Sequence, residues 1–220
     1  MKQFLKISLM MLIAILLVGC AAPKRNVSLS ESFWKNTKHE VAIAKTKFDK
    51  KPSLHRFGQQ GILEYAVSSA VTSKFSKYLQ KTNMDWYEKF PQKFVAQFKK
   101  RNIASNVYSA DLNSKQKKNA TVAIQMEGNK VLLLELLNLG ATRKYYSFFP
   151  GGAPKAYCVL KGELIDRQNK KILWSHFAKI EEPVRGDWDQ PPSYPNFTLA
   201  LKQAVDSAQE EVIDSFFSGH

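Results

Sequence analysis

Two stretches of strict alternation joined by a short polar turn commit part of this chain to antiparallel sheet. Ala156, Cys158, Leu160, Gly162 and Leu164 place small or apolar groups at every second residue. Ile172, Trp174, His176, Ala178 and Ile180 repeat the pattern after the turn Asp166-Arg167-Gln168-Asn169-Lys170. Successive side chains of a strand point to opposite faces, so each run offers one side to a core and the other to polar neighbours. A helix cannot hold this pattern, because its period of 3.6 scatters alternating residues around the axis. Within the turn, Asn169 is the residue expected in the left-handed conformation, which asparagine tolerates well. Such a hairpin is one-sided and needs a covering layer.

That layer is written elsewhere with a period near four. Ile62, Ala66 and Ala70 run beside Leu63, Val67 and Val71 and lead on to Phe75, Tyr78 and Leu79. They predict one helix from Gln59 to about Lys81 with a wide apolar face. Trp86, Phe90, Phe94 and Phe98 predict another, capped by Asn83 or Asp85. Pro91 lacks a backbone donor, so a kink or restart is expected there. Lys99, Lys100 and Arg101 suit its C-terminus, where cations meet the negative end of the dipole. The helical spacing of these aromatics is that of core packing rather than of a ligand groove. A last helix is expected to open at Phe197 or Thr198. It carries Phe197, Leu201, Ala204, Val205, Ala208, Val212 and Phe216 inward and Asp206, Glu210, Glu211 and Asp214 mostly outward.

Shorter strands are expected at 40–46, with Val41 and Ile43 on one side, and at 103–110. Residues 47–58, around Lys50, Lys51, Pro52 and His55, read as a polar loop, as do 111–120 and the proline-rich 183–196. Residues 121–126 are β-prone. Period alone leaves 131–139, VLLLELLNL, open between a buried helix and a strand, and the extended character beyond Gly140 favours a strand for its second half. Residues 148–154, Phe-Phe-Pro-Gly-Gly-Ala-Pro, read as a loop. The fold class that follows is α+β: a mixed or antiparallel sheet with amphipathic helices packed on it. We expect a single such domain over 39–220, preceded by a polar tether over 20–38 in which Trp34 is the first candidate for packing.

The first nineteen residues have their own logic. Lys2 and Lys6 precede an uncharged apolar run over 7–18. That length fits the core of a signal peptide and falls short of the roughly 20 residues that span a bilayer. The sequence Leu17-Val18-Gly19-Cys20 then resembles the lipobox of bacterial lipoproteins. The resemblance implies diacylglycerol on the Cys20 sulfur, cleavage before Cys20 and acylation of the new amino group, which together hold a protein firmly on a membrane. Ala21 and Ala22, in place of an aspartate, imply sorting to the outer membrane with the domain in the periplasm.

Composition narrows the partners. Once residues 1–19 are removed, 31 Lys and Arg face 19 acids over 201 residues. The excess is uneven: residues 20–130 hold 21 basic and eight acidic side chains, whereas 184–220 hold two and six. An exported, anchored protein does not meet nucleic acid, so the counterparts expected are anionic lipid, lipopolysaccharide phosphates or an acidic protein. With Cys20 lipidated, Cys158 has no disulfide partner in the chain and is expected as a small buried hydrophobe. His39, His55, His176 and His220 show no metal-ligand spacing, and Gly151-Gly152 has no following Lys-Ser/Thr to make a phosphate cradle. Glu181, Glu182, Asp187 and Asp189 are the carboxylates from which hydrolytic chemistry would have to be built. We expect no catalytic residue, no cofactor and no metal.

Residues 162–175, Gly-Glu-Leu-Ile-Asp-Arg-Gln-Asn-Lys-Lys-Ile-Leu-Trp-Ser, also resemble a hairpin that recurs in periplasmic lipoproteins of the CsgG, LpoB and TolB-N-terminal type. That group implies an α/β layered domain and no shared enzymatic activity. The function expected from these readings is a non-catalytic accessory or interaction subunit of an envelope complex, serving secretion or cell-wall synthesis. Phe148, Phe149, Trp188 and Tyr194 are the expected anchors for a protein partner. The alternatives are a binder of anionic lipid or lipopolysaccharide and a periplasmic hydrolase.

Overall fold

A computed structural model describes residues 26–36, 38–46, 51–59, 62–82, 85–108, 128–147 and 149–218. Residues 1–25 with Cys20, the stretch 109–127, Asn83, Phe148 and His220 lie outside them. Among the described residues the sheet is mixed and has seven strands: β1 (Glu40–Lys45), β2 (Ser53–Gln59), β3 (Ala104–Val107), β4 (Lys130–Tyr146), β5 (Phe149–Pro150), β6 (Lys155–Asp166) and β7 (Ile172–Pro183). The helices are α1 (Glu31–Lys35), α2 (Ile62–Val71), α3 (Ser73–Gln80), α4 (Asp85–Glu88), α5 (Phe90–Lys100) and α6 (Pro195–Phe217). The α+β class expected from the sequence is the class observed.

β4 organises the whole. The open run VLLLELLNL is strand throughout, in a single element that continues to Tyr146. Its first part pairs parallel with β1, from Val41↔Lys130 to Lys45↔Leu134. Its last part pairs parallel with β2, from Ser53↔Gly140 to Gln59↔Tyr146. Along its other side runs antiparallel β6, with a bulge between Leu136 and Asn138 where the neighbour on the first side changes. In that gap the hydroxyl of Tyr87 donates to the Leu134 carbonyl at 2.9 Å and accepts from the Leu136 N–H at 3.2 Å. A buried backbone group without a partner costs about 1–3 kcal/mol, so this hydroxyl replaces the missing strand. Gly140, at φ +148°, lets β2 close in on β4: a Cβ there would sit 2.0 Å from the Ser53 carbonyl oxygen.

β6 and β7 form the expected hairpin, with Leu164 opposite Trp174 and Cys158 opposite Ile180. Two details differ. The left-handed residue of the turn is Lys170, at φ +59°, and not Asn169. Asn169 is used otherwise, its Oδ1 accepting from the Lys171 N–H, while Asp166 Oδ1 accepts from the N–H groups of Gln168 and Asn169. A bulge beside Leu164 also changes the phase, so that Ile172 points out while Trp174 and Ala178 point in. Residues 53–59 are strand rather than loop. Their polar side chains hid the pattern, because only one side of β2 meets the core.

One sheet face carries Val41, Ile43, Leu132, Leu134, Leu160, Leu164 and Trp174 into a core shared with the helices. Phe90, Phe94 and Phe98 are fully buried, and α5 restarts at Phe90 with Pro91 in its first turn, as the sequence predicts. Every inward residue expected of α6 is buried. The packed chain begins ahead of residue 39: Val27 bridges Ser175 at the edge of β7, and Phe33 of α1 stacks on His39 with ring centroids 4.2 Å apart. The long helix expected over 59–81 is two helices broken at Thr72, and the first of them is the subject of the next section.

Candidate functional site

The side of α2 that meets the sheet is polar. Ser68, Ser69 and Thr72 turn inward and surround the guanidinium of Arg56, which projects from β2. Arg56 Nη1 donates to Ser68 Oγ at 3.1 Å and Ser69 Oγ at 2.6 Å, and Nη2 donates to Thr72 Oγ1 at 2.6 Å. The guanidinium lies over the rings of Tyr65 and Tyr145, at 4.8 and 5.6 Å. The aliphatic side of α2 therefore faces water. Ile62 is 92% exposed and Leu63 68%, and Tyr65, Ala66, Val67 and Ala70 are exposed with them. The expected inward face of this helix is thus its outward face. Hydrophobic period marks an amphipathic helix but cannot say which side a half-buried arginine will claim.

The same end of the sheet gathers other exposed apolar groups. Gln59 is level with Tyr146, and Tyr146 pairs with Phe149, so Phe57, Tyr146 and Phe149 sit within a few residues of the start of α2. Phe149 is 74% exposed, Tyr146 67% and Phe57 53%. Phe57, Tyr146 and Phe149 share one face of the sheet, opposite the face from which Arg56 reaches α2, and clustered exposed apolar residues of this kind are a candidate interaction surface. The setting is basic: segments 53–80 and 140–154 hold Arg56, Lys74, Lys77, Arg143 and Lys144 against Glu64 alone.

Of the expected anchors, Phe149 belongs to this patch. Trp188 is half-buried, stacked on the Arg143 guanidinium at 4.5 Å and edge-on to Phe75. Tyr194 is not at a surface. It stands at the head of α6 with its ring 5.1 Å from Phe75 and 4.9 Å from Tyr78, and is 2% exposed. Phe148 and Cys20 lie outside the described residues. The anchors that sequence reasoning missed are Ile62, Leu63 and Phe57. Their signal was the serine and threonine row opposite the aliphatic one.

A second feature lies at the other end of the sheet. A cavity of about 380 Å³ opens between the segment 26–34, β7 and the end of α6, lined by Ser28, Trp34, Ser175, His176 and Ser215 among others. His176 Nε2 contacts Glu211 Oε1 at 2.9 Å. No serine hydroxyl bonds the His176 ring among the described residues. Cys158 is buried, and burial pushes its thiol pKa far up, which keeps it protonated. The carboxylates of the hydrolytic reading are dispersed: Glu181 contacts Lys155 at 3.7 Å, Glu182 contacts Ser207, and Asp187 accepts from the Asp189 N–H. No group of three or more His, Cys, Asp or Glu side chains is placed to hold a metal among the described residues. Nor is any described helix long and apolar enough to cross a membrane.

No family model and no curated protein matches the sequence. Among solved structures, the chain is similar to lipoprotein GNA1162 of Neisseria meningitidis at 12% identity and a TM-score of 0.36, covering 80% of this chain and 99% of that one. It is similar to hypothetical protein CT253 of Chlamydia trachomatis at 8% identity and a TM-score of 0.43, covering 83% and 100%. The LpoB C-terminal domain of Salmonella enterica aligns at 11% identity and a TM-score of 0.21, covering 66% and 83%. Likenesses this loose assign no family.

Proposed function

We propose that this chain is a lipid-anchored, non-catalytic interaction subunit of a cell-envelope complex, held through Cys20 on the periplasmic side of the outer membrane. The observation that carries the reading is the reversed helix α2. Its hydroxyl row is spent on Arg56 and its aliphatic row is left to solvent, at the end of the sheet that exposes Phe57, Tyr146 and Phe149 on its other face. A protein that worked alone would gain stability by the opposite arrangement, since burying a Leu or Ile side chain contributes about 1.5–3 kcal/mol. The Leu17-Val18-Gly19-Cys20 sequence supports the anchor. So does the position of Val27 on β7, because the residues between Cys20 and Asn26 reach about 20 Å at most.

The test is a crosslinked pull-down of the natively lipidated protein from its own envelope, paired with metabolic labelling by a palmitate analogue. Label on the wild-type chain but not on a Cys20→Ala variant, with one defined complex enriched, is the expected result. A wild-type chain that takes no lipid sinks the anchor. A chain that retrieves no protein above background sinks the subunit, and recovery of lipopolysaccharide instead turns the basic surface into the working one.

A further inference from the structure

Among the described residues, strand β2 has an open edge. Its backbone bonds to β4 on one side, and among the described residues no backbone group of Ser53–Gln59 bonds anything else. A bare edge invites another strand, and proteins ordinarily cover or blunt such edges. Phe57 is exposed on one face of this edge, and α2, whose polar side meets Arg56 of β2, lies over the other with its aliphatic row exposed.

Resting on the interaction-subunit reading above, we propose that the β2 edge and α2 together bind an extended segment of a partner protein as an added strand. The segment is about seven residues long, to match β2, and carries apolar and acidic side chains. Strand addition takes its affinity from main-chain bonds and its selectivity from alternate side chains. Side chains on one face of the added strand meet Phe57 and those on the other meet α2. The acidic component follows from charge: Arg56 lies on β2, Arg143 and Lys144 on the stretch of β4 paired with it, and Lys74 and Lys77 on α3, which packs on β2, and among the described residues none of them forms an ion pair.

Two other occupants fit less well. A bilayer covers aliphatic side chains but leaves the N–H and C=O groups of a strand edge without partners, at several kcal/mol each. A symmetric pairing of β2 with β2 of a second copy brings the two basic surroundings together, and like charges set opposite each other disfavour it. A partner segment with acids satisfies backbone, apolar surface and charge at once. The site also lies along the sheet from Val27. Val27 bridges Ser175, which is level with Glu163 and so with Leu133 of β4. From Leu133 to Tyr146 the strand rises about 40 Å at roughly 3.3 Å per residue.

The test places a photocrosslinking amino acid at Phe57, at Leu63, or at Lys170 in the turn at the opposite end, in the full lipidated chain within its own envelope. The expected result is adducts at Phe57 and Leu63 that map by mass spectrometry to one acid-containing segment of a different protein. In the purified complex, amides of 53–59 exchange more slowly than in the free chain. A Leu63→Glu substitution in the Phe57 background, at a residue too exposed to disturb the fold, cuts the adduct by about tenfold or more. Adducts to phospholipid, or to a second copy at twice the chain mass, overturn the proposal. So does unchanged exchange across 53–59 in the complex. Partner adducts at Lys170 alone overturn the site while leaving the interaction-subunit reading intact, and adducts at none of the three positions sink both.

Discussion

Gly162 lies on the inner face of β6, where a Cβ would stand 2.6 Å from Cζ3 and Cη2 of Trp174 and 3.0 Å from Cγ1 of Val212. Carbon contacts settle near 3.5–4.0 Å, so a Gly162→Ala substitution requires the indole to retreat by about 1 Å. The indole has little freedom to do so. It is 1% exposed and meets the Phe216 ring edge-on at a centroid distance of 4.8 Å. Overpacking of this kind costs about 1–3 kcal/mol. Alanine meets no left-handed backbone here, and removing the chain entropy of glycine returns about 0.5–1 kcal/mol. The expected net loss is about 0.5–2 kcal/mol, or roughly 1–8 °C in Tm at this chain length. Urea and thermal unfolding of the mature chain, followed by tryptophan fluorescence and circular dichroism, measure it. In a Trp174→Leu background the same alanine should cost almost nothing, since the clash is with the indole. A Gly162→Ala chain as stable as wild type, or an equal loss in both backgrounds, would refute the reasoning.

Tyr87→Phe removes the hydroxyl that bridges Leu134 and Leu136, and should lower stability by about 1–3 kcal/mol with faster exchange of the Leu136 amide. Asp166 is held below the usual carboxylate pKa of 3.8, first by the hydrogen bond from Lys130, at 2.8 Å. Its contribution is therefore present above about pH 3.8 and lost as pH falls through the lower folded value, and an Asp166→Asn chain should show a shallower acid slope in urea midpoint. His39 is depressed below 6.5, chiefly by burial. The unfolded chain takes up that proton more readily, so stability is full above about pH 6.5 and declines below it. A His39→Gln variant should lose part of that decline between pH 6.5 and 5, and an unchanged slope would assign the effect elsewhere. Cys158 should resist maleimide in the folded chain and react promptly in urea. Rapid reaction of the native thiol would contradict its burial.

The hairpin, α5 and α6 were legible because their patterns have one physical meaning. Alternation beside a turn signals a strand pair, and four-residue aromatic spacing signals a buried helix face. β2 was not legible, since only one side of it meets the core and its serine, histidine, arginine and glutamine dilute the alternation. The length of β4 escaped for a related reason: a strand buried on both faces over 131–134 shows a continuous apolar run, which has no period to read. The orientation of α2 needed the knowledge that Arg56 lies beneath it, and nothing local places an arginine of one element under the serines of another. The same holds for the candidate site. Phe149 was visible as an exposed loop aromatic, whereas Tyr194 looked equally free until Phe75 and Tyr78 closed over it.

The sharing of β4 between two parallel neighbours sets an order of events for a chain made from its N-terminus onward. Val41 waits for Lys130 and Ser53 waits for Gly140, so β1 and β2 have no sheet to join until most of the sequence has arrived. β6 and β7, by contrast, meet across five residues of turn and can form as soon as they emerge. The N-terminal third is thus released first and secured last. Until then β2 has no strand beside it, so a chaperone that shields extended segments would find its substrate in residues 53–59.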